Sequence, residues 1–149
     1  MLLGNRTPQT LQDTGLALGR LVIGALFIAH GWQKISEFGM EGTASSFDMM
    51  GVPLPEAAAY AAAAIEVGGG VLLVLGLLTP VASLLLVVDM VGAFWFAHRE
   101  AGPFVADGGW ELVAALGAAA LVIGLVGPGR FSLDGLVGRR STVSTPATA

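Results

Sequence analysis

Arg20, Glu66 and Asp89 each stand inside a long apolar run of this 149-residue chain. A charge at bilayer depth is costly unless it reaches the interface or is paired, so each marks a candidate functional site. One guanidinium and two carboxylates admit two kinds of chemistry. They can form an ion pair or triad that fixes helix register, or they can act as a proton relay or as an anchor for a polar ligand head group. One arginine against two acids leaves one excess negative charge, so either an acid is protonated or another cation is present. A second group lies toward the far ends of the runs: His30, Gln33, Lys34, His98 and Glu111. His30 and Lys34 are four apart and so are neighbours on one helix face. Two histidines with a carboxylate could pass protons or hold a metal. They sit on different segments, however, with no HxxxH or HExxH pairing, so no metal is expected.

The elements that must position these residues are membrane helices. The chain is 54% hydrophobic and 12% charged, with a mean hydropathy of +0.77. A soluble domain carries about 25% charged residues. The net charge of −4 gives no basic footprint for nucleic acid. With no cysteine, disulfides, thiol redox chemistry and Cys-ligated metal are excluded. Crossing the hydrocarbon takes about 20 residues, and four segments come close: about 15–33, 55–78, 81–97 and 110–126. The runs are long and lack period-two alternation, which rules out strands. Only Thr79-Pro80 separates the second from the third, so these two form an antiparallel hairpin. Pro80 and Pro55 suit helix first turns, and Gly127-Pro128-Gly129 stops the last run. The expected fold is an all-α integral membrane four-helix bundle spanning residues 14–134. Residues 1–13 form a leader and residues 135–149, rich in Ser, Thr and Ala, a disordered tail. A cleaved signal peptide is disfavoured by the long polar leader and the lack of an A-x-A site.

Four spans place both termini on one side, with Arg6, Arg130, Arg139 and Arg140 there and Arg20 close by. The positive-inside rule makes that side cytoplasmic. Trp32, Trp95, Trp110 and Tyr60 fall near the external ends, where aromatic rings prefer to sit. In the long external loop, TASSFDMMGVP is read as one or two interfacial helical turns with Phe47 and Met50 toward the membrane. A stripe of Ala59, Ala62, Ala63, Gly69 and Gly70 shares the face of Glu66 and permits close packing. By depth, Arg20, Glu66 and Asp89 are expected to meet in the lower middle of the bundle. Lys34 and Gln33 are expected at the outer interface beside Trp32, with His30 about one turn inside it.

The opening LGRLVIGALFIAHGWQK, then Glu66 followed by GGGVLLVLGLLTP, then GPGRFSLD form an ordered pattern. From about Leu18 to Asp134 it resembles the DoxX family of small four-span bacterial membrane proteins. The resemblance implies the bacterial cytoplasmic membrane. It also implies a link to membrane oxidoreductase assemblies, since the family takes its name from membrane subunits of a thiosulfate:quinone oxidoreductase. It supplies no catalytic set for these positions. The expected function is a subunit or accessory of a quinone-linked oxidoreductase. Quinone is then the candidate cofactor, and a membrane or peripheral oxidoreductase the candidate partner. The alternatives are a non-enzymatic assembly factor, as a homo-oligomer or with other partners, packing through Ala114/Ala118 and Gly117/Leu121, or a transporter of small solutes or lipid.

Overall fold

The structure, a computed structural model, describes residues 8–136. The first seven residues of the expected leader, and the expected tail from residue 137 onward, lie outside the described residues. Every regular element among the described residues is helical: α1 (Gln9–Ser36), α2 (Gly39–Met49), α3 (Pro55–Leu75), α4 (Thr79–Ala93) and α5 (Glu111–Val126). Three helices, α1, α3 and α4 with its continuation to His98, are long and apolar enough to cross a membrane. α5 is apolar but has only 16 residues.

Inward faces repeat every three to four residues, the helical period. On α1 the buried positions include Arg20, Gly24, Phe27 and Gly31. On α3 they run from Ala59 through Glu66 to Leu73. α1 packs on α3, α3 on α4, and α4 on α5, which returns to touch α1. Phe27, Leu73, Leu86, Ala120 and Ile123 form the middle of the apolar core. The opposite faces carry Leu84, Val88 and Leu125 at 63%, 59% and 79% exposure. Apolar side chains that open to the outside along whole helices suit lipid, where an aqueous surface would aggregate.

α1 and α3 approach closely because glycines meet at the crossing. A Cβ on Gly70 would lie 2.6 Å from the Gly24 carbonyl oxygen, and one on Gly31 would lie 2.9 Å from Glu66 Cβ. Neither helix could come so near with a side chain in the way. The turn between α3 and α4 uses two left-handed residues, Gly76 and Leu78 (φ 63° and 48°). This turn and the segment after α5 share one end of the molecule, called here the hairpin end. The opposite end carries α2.

Three sequence readings need correcting. α1 starts at Gln9, so the end of the expected leader is already helical. α2 is a helix of 11 residues rather than one or two turns, because Thr43 is buried against α1 and donates from Oγ1 to the Lys34 carbonyl at 3.0 Å. The third span is not a uniform α-helix. After Ala93 it widens into a π-helical turn, Phe94–His98, closed by the Arg99 N–H donating to the Phe94 carbonyl at 2.9 Å.

Candidate functional site

Glu66 is a buried charge near the midpoint of α3. Its side chain is 4% exposed, and Oε2 accepts from Lys34 Nζ at 2.6 Å. Lys34 lies one turn beyond Gly31, where α1 presses on α3, so its flexible stem folds back toward the neighbouring helix. This corrects the expectation that Lys34 rests at the interface beside Trp32. A four-carbon stem lets an ammonium sit far from its own backbone level. Asp89 faces the pair from α4, close enough to feel the charges of both Glu66 and Lys34. It is half-buried, and among the described residues no group is recorded within hydrogen-bonding distance of its carboxylate.

Arg20 does not join them. It is 2% exposed and faces the hairpin end. There its Nη2 donates to the Phe131 carbonyl, and its charge acts with that of Asp134. Asp134 in turn closes the turn before α4. Its Oδ1 accepts from the Leu78 N–H and its Oδ2 from the Thr79 N–H, each at 3.2 Å, while its own N–H donates to the Gly76 carbonyl at 3.0 Å. A carboxylate at a helix start satisfies donors that have no intrahelical partner and complements the positive end of the dipole. Gly76 is required here twice over. Its backbone is left-handed, and a Cβ would run into Arg20 Nη1. Asp13, also buried, accepts from the Arg130 N–H at 3.2 Å and stands 3.9 Å from Arg130 Nε. The three stretches that carry the sequence pattern therefore converge on one clamp. The GRFSLD segment is held against the base of α1 and the α3–α4 turn.

The second candidate group does not assemble either. His30 Nδ1 donates to the Leu26 carbonyl of its own helix at 2.8 Å. Gln33 Nε2 donates to Glu37 at 3.1 Å. His98 Nδ1 donates to the Gly108 carbonyl at 2.6 Å, and Glu111 Oε1 accepts from the Val105 N–H at 2.7 Å. These last two contacts pin the loop between α4 and α5. Among the described residues no cluster of three metal-ligating side chains forms.

Sequence reasoning missed the role of Lys34 in the site, although Gly31 one turn before it was a legible sign of close packing. The Ala114/Ala118 and Gly117/Leu121 face that the sequence marks for packing lines an apolar groove of about 530 Å³ between α4 and α5, together with Met90, Phe94 and Trp110, which the sequence did not signal. Phe94 and Trp110 meet edge to face at one end of it, with ring centroids 6.4 Å apart. Chemically, then, the interior offers one ammonium against two carboxylates in an apolar frame, and a separate groove open to the outside.

Comparison with known proteins adds the lineage. The family model DoxX matches residues 15–99. An uncharacterized membrane protein of Mycobacterium tuberculosis (strain ATCC 25618 / H37Rv) is 35% identical over 133 residues, covering 83% of this chain and 81% of the relative. A Bacillus subtilis (strain 168) protein, CatD, whose name carries a provisional oxidoreductase label, is 34% identical over 84% of this chain and 88% of its own. The inner membrane protein YphA of Escherichia coli (strain K12) is 30% identical over 80% of this chain and 87% of its own. No solved structure matches the chain significantly.

Proposed function

The chain belongs to the DoxX family of membrane proteins, and from that premise we propose that it is a membrane subunit or accessory of a quinone-linked oxidoreductase. The single observation that carries this reading is the Lys34–Glu66 pair with Asp89 beside it. A buried ion pair contributes little net stability compared with apolar packing of the same volume. Three ionisable groups brought together from three helices are therefore better explained by use than by stability. Quinone reduction takes up protons, and a membrane-embedded acid close to a lysine is a suitable source. The oxidoreductase label of CatD supports the same direction.

In this reading α5 completes a four-helix bundle and a fourth crossing. Sixteen residues extend about 24 Å, short of a hydrocarbon core of about 30 Å. Trp110 at one end and the clamped 127–134 segment at the other make up the difference. Both termini then lie in the cytoplasm beside Arg6, Arg130, Arg139 and Arg140. The inner membrane is the location, as the name of the E. coli relative states for that protein.

A second reading rests on the α4–α5 groove. Its lining includes Ala114, Gly117, Ala118 and Leu121, small and apolar positions that suit helix–helix contact in lipid. On that reading the protein is an assembly factor, and the charges only set register. Purification from native membranes in mild detergent separates the two, with mass spectrometry of bound proteins and quinones. The first reading expects an oxidoreductase subunit or a quinone to copurify. Partner proteins with no redox cofactor, and no quinone, would favour the second.

A further inference from the structure

We propose that the Lys34–Glu66–Asp89 trio holds one exchangeable proton, carried on Asp89, and that this proton communicates with water at the α2 end only. The inference goes beyond the oxidoreductase reading and would stand if no quinone bound.

The first step is charge balance. One ammonium faces two carboxyls in an interior that penalises net charge. Glu66 is the acid that accepts the short 2.6 Å bond from Lys34. Asp89 has no such donor and stands level with Glu66, because Leu86, one turn before it, packs on Gly69, one turn beyond Glu66; the charges of both Glu66 and Lys34 act on it there. Two carboxyls that share a single cation hold one proton between them more readily than both ionise. The charges that act on Asp89 among the described residues are those two. Of the other neighbouring helices, α2 carries Glu41 and Asp48 on its exposed side. α5 carries Glu111, exposed and committed to the Val105 N–H. On α1, His30 is turned to the Leu26 carbonyl.

The second step is access. Toward the hairpin end the path is filled. Phe27, Leu73, Ala82 and Leu86 are all 0% exposed, and each lies between the trio and the clamp on its own helix. Below them Arg20 is itself buried and held to the Phe131 carbonyl. Toward the α2 end the α4–α5 side is still closed by Met90, Val113 and Leu116, but on the α1–α3 side no large apolar side chain is buried beyond Gly31 and Glu66. α3 presents only alanines there, Ala59, Ala62 and Ala63. Lys34 stands two residues from the end of α1, and its side chain keeps 21% exposure. The balanced step is simple. The neutral Asp89 carboxyl gives its proton to water at the α2 end and takes one back, while Lys34 remains an ammonium throughout.

Infrared spectroscopy of the wild-type protein in nanodiscs tests the proton directly. At pH 7 a protonated-carboxyl C=O band is expected, lost in Asp89→Asn and kept in variants of exposed acids such as Glu41→Gln. Absence of the band in the wild type, or its persistence in Asp89→Asn, would overturn the assignment. Access is tested in sealed vesicles of known orientation, made simple by the absence of native cysteine. A membrane-impermeant thiol reagent should label Lys34→Cys from the α2 face only and Leu73→Cys from neither. Labelling of either variant from the hairpin face would refute one-sided access, as would failure to label a folded Lys34→Cys.

Discussion

Lys34→Met removes the cation and leaves the Glu66 side chain, 4% exposed, without a partner. Breaking a buried pair from one side typically costs about 3–5 kcal/mol. Two features lower that figure. Lys34 is 21% exposed, so water or lipid head groups can approach the orphaned carboxylate. The carboxyl can also fold as the neutral acid, which sets a ceiling. Protonating a carboxyl of ordinary glutamate acidity at pH 7 costs about 3.7 kcal/mol, from about 2.7 pH units at about 1.36 kcal/mol each. The expected loss is therefore about 2–3.5 kcal/mol at pH 7. The sign with pH follows from the same ceiling. Lower pH makes the neutral acid cheaper, so at pH 5.5 the ceiling falls to about 1.6 kcal/mol and the variant approaches the wild type. Adding Glu66→Gln to Lys34→Met removes the stranded charge and should restore most of the loss at pH 7. Reversible unfolding in mixed detergent micelles, followed by tryptophan fluorescence at both pH values, measures all of this. A Lys34→Met protein within about 0.5 kcal/mol of wild type at pH 7, or a loss that does not shrink at pH 5.5, would refute the reasoning.

The clamp and the crossing give further expectations. Asp134→Ala leaves the first donors of α4 unsatisfied. It should cost about 1 kcal/mol, as loss of a helix cap does, and speed hydrogen exchange at Leu78 and Thr79. Arg20→Met frees the Phe131 carbonyl, and limited proteolysis within residues 127–136 should become faster while the Lys34–Glu66 pair persists. Gly70→Ala places a Cβ 2.6 Å from the Gly24 carbonyl oxygen and should cost about 1–3 kcal/mol by overpacking. Gly68→Ala meets nothing within 4 Å and should be neutral or stabilising in the same unfolding assay. Glu111→Ala should raise exchange at the Val105 amide and leave stability of the helices unchanged.

Much of this architecture can be read from the sequence, and the limits have physical causes. Apolar runs and their periodicity mark the helices and their inward faces, because lipid leaves the backbone few alternatives. The stripe of small residues around Glu66 identifies where α3 packs closely, and the structure sets Gly31 and Gly70 at that crossing. Depth along a helix, however, does not choose a side-chain partner. Arg20 and Glu66 look compatible by level, yet Arg20 finds a carbonyl 111 residues away in a segment that hydropathy cannot fold. Lys34 ends an apolar run, and only the three-dimensional approach of α1 to α3 sends its ammonium inward. His98 and Glu111 share a level but serve separate loop contacts. Such contacts depend on local turn geometry that spacing alone does not reveal.

The most direct test of the central claim is quinone binding to the purified protein. Nanodiscs carrying the wild type are titrated with decylubiquinone while the fluorescence of Trp32, Trp95 and Trp110 is recorded. Asp89→Asn and Glu66→Gln are titrated in parallel. The account predicts saturable quenching in the wild type and weaker affinity in both variants. Quenching that rises linearly without saturation, identical in all three proteins and in nanodiscs carrying an unrelated tryptophan-containing membrane protein, would contradict it.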